Sequence, residues 1–286
     1  MSNMNTPYGE FICLSPGEFL MGNDKPYHTT LGEIRHEHTH AKLVHRVEIK
    51  RKLAFLQTPL TCAAVAIFVN KYPGLIKDTQ FKFKIFKDPK SEYVLGDDTK
   101  HPLSDDSPSV STYSYWKNVT NASLPATGLK WSEAALVCET IGREIGKHVR
   151  LPTEAEWEFA CRAGTSTVYY FGNDTSQVVN HAWCCVNSGL EPKSVMSFNP
   201  NPWGLYDIVG NVWEWCQDKY STTFYSRCPT ADPVCDDCEE VEYEGRVIRG
   251  GSSMNKAETC RSSHRYGLRP ESRDRFLGFR PVIEIL

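Results

Sequence analysis

A chain of 286 residues with a net charge of −3 carries no basic field for nucleic acid. Its 12% aromatic and 23% charged content suits a packed globule rather than a disordered chain. No Gly/Ser linker, charge block or repeat divides it, so a single domain over residues 1–286 is expected.

The opening M-S-N-M-N-T-P-Y-G-E-F lacks the basic start and apolar run of a secretory signal, and no stretch of about 18 apolar residues occurs. A cytoplasmic chain without a membrane partner is the expectation. The eleven cysteines lack the spacing of a disulfide framework, and most are expected to be reduced, buried small hydrophobes.

Gly9 to Asn23 reads as two strands, Phe11 to Leu14 and Glu18 to Met21, around a Ser-Pro-Gly turn. His28, His36, His38, His40 and His45 follow. Three of them alternate as facing imidazole ligands would, but they sit in a polar stretch without a carboxylate or thiol partner, and a solvated face is expected.

Residues 45–55 alternate and then run into L-A-F-L, as a strand entering the core does. Thr61 caps a helix over Cys62 to Tyr72, with Ala63, Ile67 and Val69 on its buried face. F-K-F-K-I-F at 81–86 reads as a strand with one exposed face. Residues 88–130 turn polar around Tyr113, Tyr115 and Trp116; sequons at Asn118, Asn121 and Asn173 matter only in a secreted protein.

Trp131 to Lys147 is an amphipathic helix with Ser132 as N-cap and Gly146 at its exit. Thr153 and Glu156 form the capping box of a second helix that ends at Gly164. Asn201 to Asp218, N-P-W-G-L-Y-D-I-V-G-N-V-W-E-W-C-Q-D, is a tight loop running into a strand whose tryptophans alternate with polar residues. Asp207 and Glu214 flank the Gly210 turn, where they either cap turns or, with backbone carbonyls, surround a hard cation. Cys228, Cys235 and Cys238 share an acidic loop that reads as an unconstrained surface loop, a disulfide or a zinc site short of one ligand.

Three segments carry a family resemblance: G-L-Y-D-I-V-G-N-V-W-E-W, L-P-T-E-A-E-W-E-F-A-C-R-A-G from Leu151, and the stretch from Val247 that begins V-I-R-G-G-S and ends L-G-F-R-P. In this order they resemble the formylglycine-generating enzyme, or sulfatase-modifying-factor, family. The resemblance implies an α+β, C-type-lectin-like fold with little regular structure, two main helices and short antiparallel strands. It implies calcium on Asp207, the carbonyls of Gly210 and Val212, and Glu214. A first calcium site in the loop from Asn180 to Gly189 would have Asn187 at its acidic position. Tyr113 and Trp116 would contact ligand or serve plain loop packing; from the residues alone, arginines of the tail such as Arg265 and Arg269 either fix a ligand carboxylate or peptide backbone by bidentate bonds or form salt bridges to Glu271 and Asp274.

The family's activity, oxidation of a peptide cysteine to formylglycine, rests on copper(I) held by two thiolates just past R-G-G-S. Counting from Ser252, this chain has Asn255 at the first position and Cys260 at the second. An amide oxygen is a poor ligand for a soft ion, so copper is not expected. Three readings follow. The first is a scaffold that has lost the copper oxidase and binds a peptide, protein or small ligand on its loops. The second is an oxygen-dependent metallo-oxidase acting on a thiol substrate through Cys260 with His264. The third is a diversified lectin-fold binding protein.

Overall fold

The structure, a computed structural model, describes residues 2–24, 27–28, 34–35, 43–72, 80–82, 109–111, 122–236 and 244–285. In chain order the strands are β1 (Met4–Thr6), β2 (Gly9–Leu14), β3 (Gly17–Met21), β4 (Tyr27–His28), β5 (Ile34–Arg35), β6 (His45–Ile49) and β7 (Lys52–Leu56). Helix α1 (Cys62–Lys71) leads to β8 (Gln80–Lys82) and β9 (Ser109–Ser111), then to helix α2 (Trp131–Ile145), β10 (His148–Arg150) and helix α3 (Glu154–Arg162). The remainder is loop interrupted by β11 (Trp213–Lys219), β12 (Arg246–Arg249), β13 (Arg265–Leu268), β14 (Leu277–Phe279) and β15 (Val282–Ile285).

Two sheets organise these pieces. The first runs β1-β2-β7-β15-β10 and the second β13-β12-β11-β14. Along β7, Leu53 and Phe55 enter one apolar cluster with α3, while Ala54 and Leu56 enter another with α1 and α2. That is why L-A-F-L is apolar at every position: this strand has no solvent face. The chain's last strand, β15, lies between β7 and β10, so the two ends of the sequence close one sheet.

Several boundaries fall where the sequence puts them. Thr153 caps α3, its hydroxyl accepting the Glu156 N–H while Glu156 returns a bond to the Thr153 N–H. Gly146 ends α2 at φ 64°. Thr61 caps α1, but the buried face there is Cys62, Ala64, Val65, Phe68 and Val69. Ala63 and Ile67 point outward, because the helix rotates by one position to bring Phe68 onto Tyr8, whose rings stack at 4.5 Å.

The N-cap of α2 is Lys130, two residues before Ser132, with the Glu133 carboxylate accepting its N–H. The named strand pairings are antiparallel, as expected, apart from β11, which pairs parallel with β14. The histidines at 36, 38 and 40, most of the strand over 81–86, Tyr113, Trp116, the sequons Asn118 and Asn121, and Cys238 lie outside the described residues. Among the described residues no helix is long and apolar enough to cross a membrane.

Candidate functional site

Four loop segments meet beside the start of β11. Gly210 donates its N–H to the carbonyl of Gly250, Asn211 to that of Trp183, Ser253 to that of Asn211, and Cys185 to that of Asn255, all at 2.8–2.9 Å. Gly210 is irreplaceable here for two reasons. Its φ is +72°, and a Cβ would lie 2.4 Å from the Trp183 carbonyl. Asn211, also left-handed at φ 60°, reads the main chain of Lys193 in both directions, accepting its N–H and donating to its carbonyl.

The loop from Cys260 to Arg265 is held from behind by arginines. Arg249, fully buried, donates to the carbonyls of Ser262, Ser263 and His264 and is ion-paired with Glu158 of α3. Arg265, also buried, makes a two-pronged bond to Glu154, both contacts 2.6 Å, and lies over the Tyr225 ring. The arginines thus match main-chain carbonyls and carboxylates, as their fork geometry favours. Arg265 is 1% exposed, which removes it as a ligand contact. Arg269 remains on the surface after β13. Nearby, Glu271 pairs with Lys130, and Arg273 pairs with Glu133.

Glu214 is the keystone of this side of the fold. Its two oxygens accept from Arg280 and from the Trp157 indole N–H at 2.8–3.2 Å, and it is 1% exposed. Arg280 also donates to the carbonyls of Leu56 and Tyr206. The alternation of β11 is as expected, with Trp213 and Trp215 in the apolar cluster, but the polar face is buried rather than wet.

The calcium set therefore does not fit in the form expected. The Glu214 carboxylate is turned to Arg280, whose guanidinium supplies the positive charge there. Asp207 accepts the Met196 N–H, and burial first, with the nearby Glu214 charge adding to it, lifts its carboxyl to about 6. Asn187 is a turn organiser, accepting the Cys184 N–H and donating to the carbonyls of Val179 and Ala182. Among the described residues no group of three or more His, Cys, Asp or Glu side chains is gathered as a metal cage. At the acidic loop Cys235 is disulfide-bonded while Cys228 is free. A sulfur in a disulfide is no zinc thiolate, so the Cys228/Cys235/Cys238 zinc reading is withdrawn.

Ser252, Asn255 and Cys260 do come together. The Ser252 hydroxyl donates to Asn255 Oδ1 at 2.6 Å, and the Met254 N–H returns to Ser252 Oγ. Asn255 is 7% exposed and Cys260 0%. The Cys260 sulfur faces Gly251, where an added Cβ would stand 3.0 Å from it, and reaches the Lys256 carbonyl at 4.0 Å. Burial drives this thiol well above the ordinary cysteine range, and the adjacent Cys184 and Cys185 add to the rise. His264 turns away to Arg261 and to the Trp213 ring, 5.8 Å between centroids.

The copper pair of the resembled family does not fit at 255 and 260: an amide locked onto a serine hydroxyl stands where a soft donor is needed. Sequence reasoning missed Cys184 and Cys185 as neighbours of Cys260. Their loop lies well upstream in the chain, and only folding joins the two.

The fold is α+β, with long loops pinned by buried arginines. The family model for the sulfatase-modifying factor enzyme 1-like domain matches residues 1–285, and the chain belongs to this formylglycine-generating enzyme family. It is 34% identical over 172 residues to the formylglycine-generating enzyme of Streptomyces coelicolor, covering 54% of this chain and 51% of that one.

It is also 32% identical over 176 residues to the inactive C-alpha-formylglycine-generating enzyme 2 of Bos taurus, covering 55% and 49%. The chain thus spans about half the length of these relatives. Among solved structures, PvdO from Pseudomonas aeruginosa superposes with a TM-score of 0.73 at 22% identity, covering 97% of this chain and 95% of PvdO, which shows the shared fold.

Proposed function

We propose that this protein keeps the family scaffold without the copper-dependent cysteine oxidase and binds a peptide, protein partner or small ligand across its loop face. The observation that carries the reading is Asn255, whose side-chain oxygen is engaged by Ser252 at the position where the resembled site needs a thiolate. Cys260, fully buried, also lacks the exposure that a substrate thiol would need to join it. Existence of an inactive relative at a similar level of identity is compatible with this loss.

On the loop face Val186 and Met196 are 66% and 46% exposed, giving that surface apolar side chains free to meet a partner. The test is a turnover assay. Protein loaded anaerobically with copper(I) is exposed to oxygen with a cysteine-containing peptide, and the peptide is searched for aldehyde. No aldehyde is the expected result, and catalytic aldehyde formation overturns the proposal.

A further inference from the structure

The two strands on either side of the Ser-Pro-Gly turn do not pair with each other. β2 lies between β1 and β7, while β3 joins β6 in a separate sheet of two strands. The outer edge of β6 is covered: the Glu48 N–H donates to the Thr230 carbonyl and the Glu48 carbonyl accepts from the Asp232 N–H, both at 2.8 Å. β3 differs, since among the described residues the main chain of Gly17–Met21 pairs with β6 alone. Just past it, Gly22 is closed off by α3, its N–H donating to Glu158 and its carbonyl accepting from Arg162.

A hollow of about 500 Å³ adjoins β3. Gly17, Glu18, Phe19 and Leu20 all line it. Successive residues of a strand point to opposite faces, so the hollow follows the edge of β3 rather than covering one face. Phe19, Phe159 and Trp203 make an aromatic wall, with ring centroids 5.6 Å apart between the first two and 4.8 Å between the last two. The two charged residues of the lining are already matched, Glu18 with Arg46 and Arg162 with Glu158.

We propose that the open edge of β3 docks an extended, uncharged peptide segment of a partner protein, which adds as a third strand and sets an aromatic side chain against Phe19, Phe159 and Trp203. An open edge presents N–H and carbonyl groups in series, and another extended main chain matches that series. The matched charges leave nothing to hold an anion or a cation, which selects an uncharged segment, and the wall selects a ring. Leu20, 56% exposed on the face opposite Phe19, meets a neighbouring side chain of the added strand. None of these residues belongs to the loop face, so this surface goes beyond the functional reading above.

The test is hydrogen–deuterium exchange of the full chain with a capped probe, acetyl-Thr-Thr-Phe-Thr-Thr-amide, and with versions of it N-methylated at one or the other alternate set of amides. The probe should slow exchange over residues 17–21 at least tenfold at saturation. One N-methylated version should lose this protection and the other keep it. Alanine for phenylalanine in the probe should weaken binding at least about tenfold, as should Trp203→Ala in the protein. Because that variant can fail to fold, the N-methylated probes put the same question to the unaltered chain.

No protection over 17–21, or protection indifferent to which amides are methylated, overturns the inference. Protection of the same edge that grows with protein concentration without probe also overturns it, because the occupant is then a second copy of this chain. These outcomes leave the loss of oxidase standing, whereas aldehyde on a substrate peptide would overturn that loss and leave the β3 edge untouched.

Discussion

Glu214 and Arg280 form a fully buried pair whose remaining valences are taken by Trp157, Leu56 and Tyr206. Such a pair is weak evidence for net stability, yet removing one partner strands a buried charge, at a cost of about 3–5 kcal/mol. Arg280→Met should therefore lower the unfolding free energy by about that amount in urea titrations. A loss under about 1 kcal/mol would mean that Glu214 has another counter-ion, and would reopen the calcium reading.

Asp218 gives the pH prediction. Its oxygens accept the N–H groups of Glu154 and Cys235 at 2.7 and 2.8 Å. Burial, with Glu154 nearby, lifts its carboxyl to about 7, and Asp207 rises to about 6. In this window the folded chain holds protons that the unfolded chain has released, so these two groups make stability fall as pH rises from about 4 to about 7. The lowered carboxyls of Glu144 and Glu158 act in the opposite sense at lower pH, below the ordinary carboxylate range. Asp218→Asn should flatten the fall in melting temperature between pH 4.5 and 7.5. An unchanged slope would contradict the assignment.

At the level of elements, Gly210 joins three loops through one left-handed turn, and alanine there meets both an unfavourable φ and the Trp183 carbonyl. Gly210→Ala should cost more than about 1 kcal/mol and open the 182–188 loop to limited proteolysis. A variant with parental stability and an intact loop would show that the turn can move.

The helix starts, the Thr153 capping box and the Gly146 exit were legible in the sequence because each depends on residues within four positions of one another. The pairing of β15 with β7 and the partners of Glu214, Arg249 and Arg265 were not. They depend on main-chain carbonyls and carboxylates far away in the chain, which carry no local signature. The same limit hid Cys184 and Cys185, while Asn255 was visible as a departure from a local spacing. The Ala63 and Ile67 error has a related cause: the period of α1 is clear, but its phase is set by Tyr8.

For the whole molecule, one sheet closed by both ends of the chain and a second tied to α3 by buried Glu–Arg pairs make a rigid frame. Asn255 takes no part in these sheets or ion pairs, whereas Cys260 is a fully buried member of the apolar cluster beside α3. On the proposed reading, asparagine in place of a thiol at 255 leaves the fold intact while removing the reaction. The most direct measurement is the anaerobically copper(I)-loaded chain given oxygen and a cysteine-containing peptide, with formylglycine followed by mass spectrometry. The account predicts an unmodified peptide even when copper is bound, and multiple-turnover conversion of its cysteine to the aldehyde would contradict it.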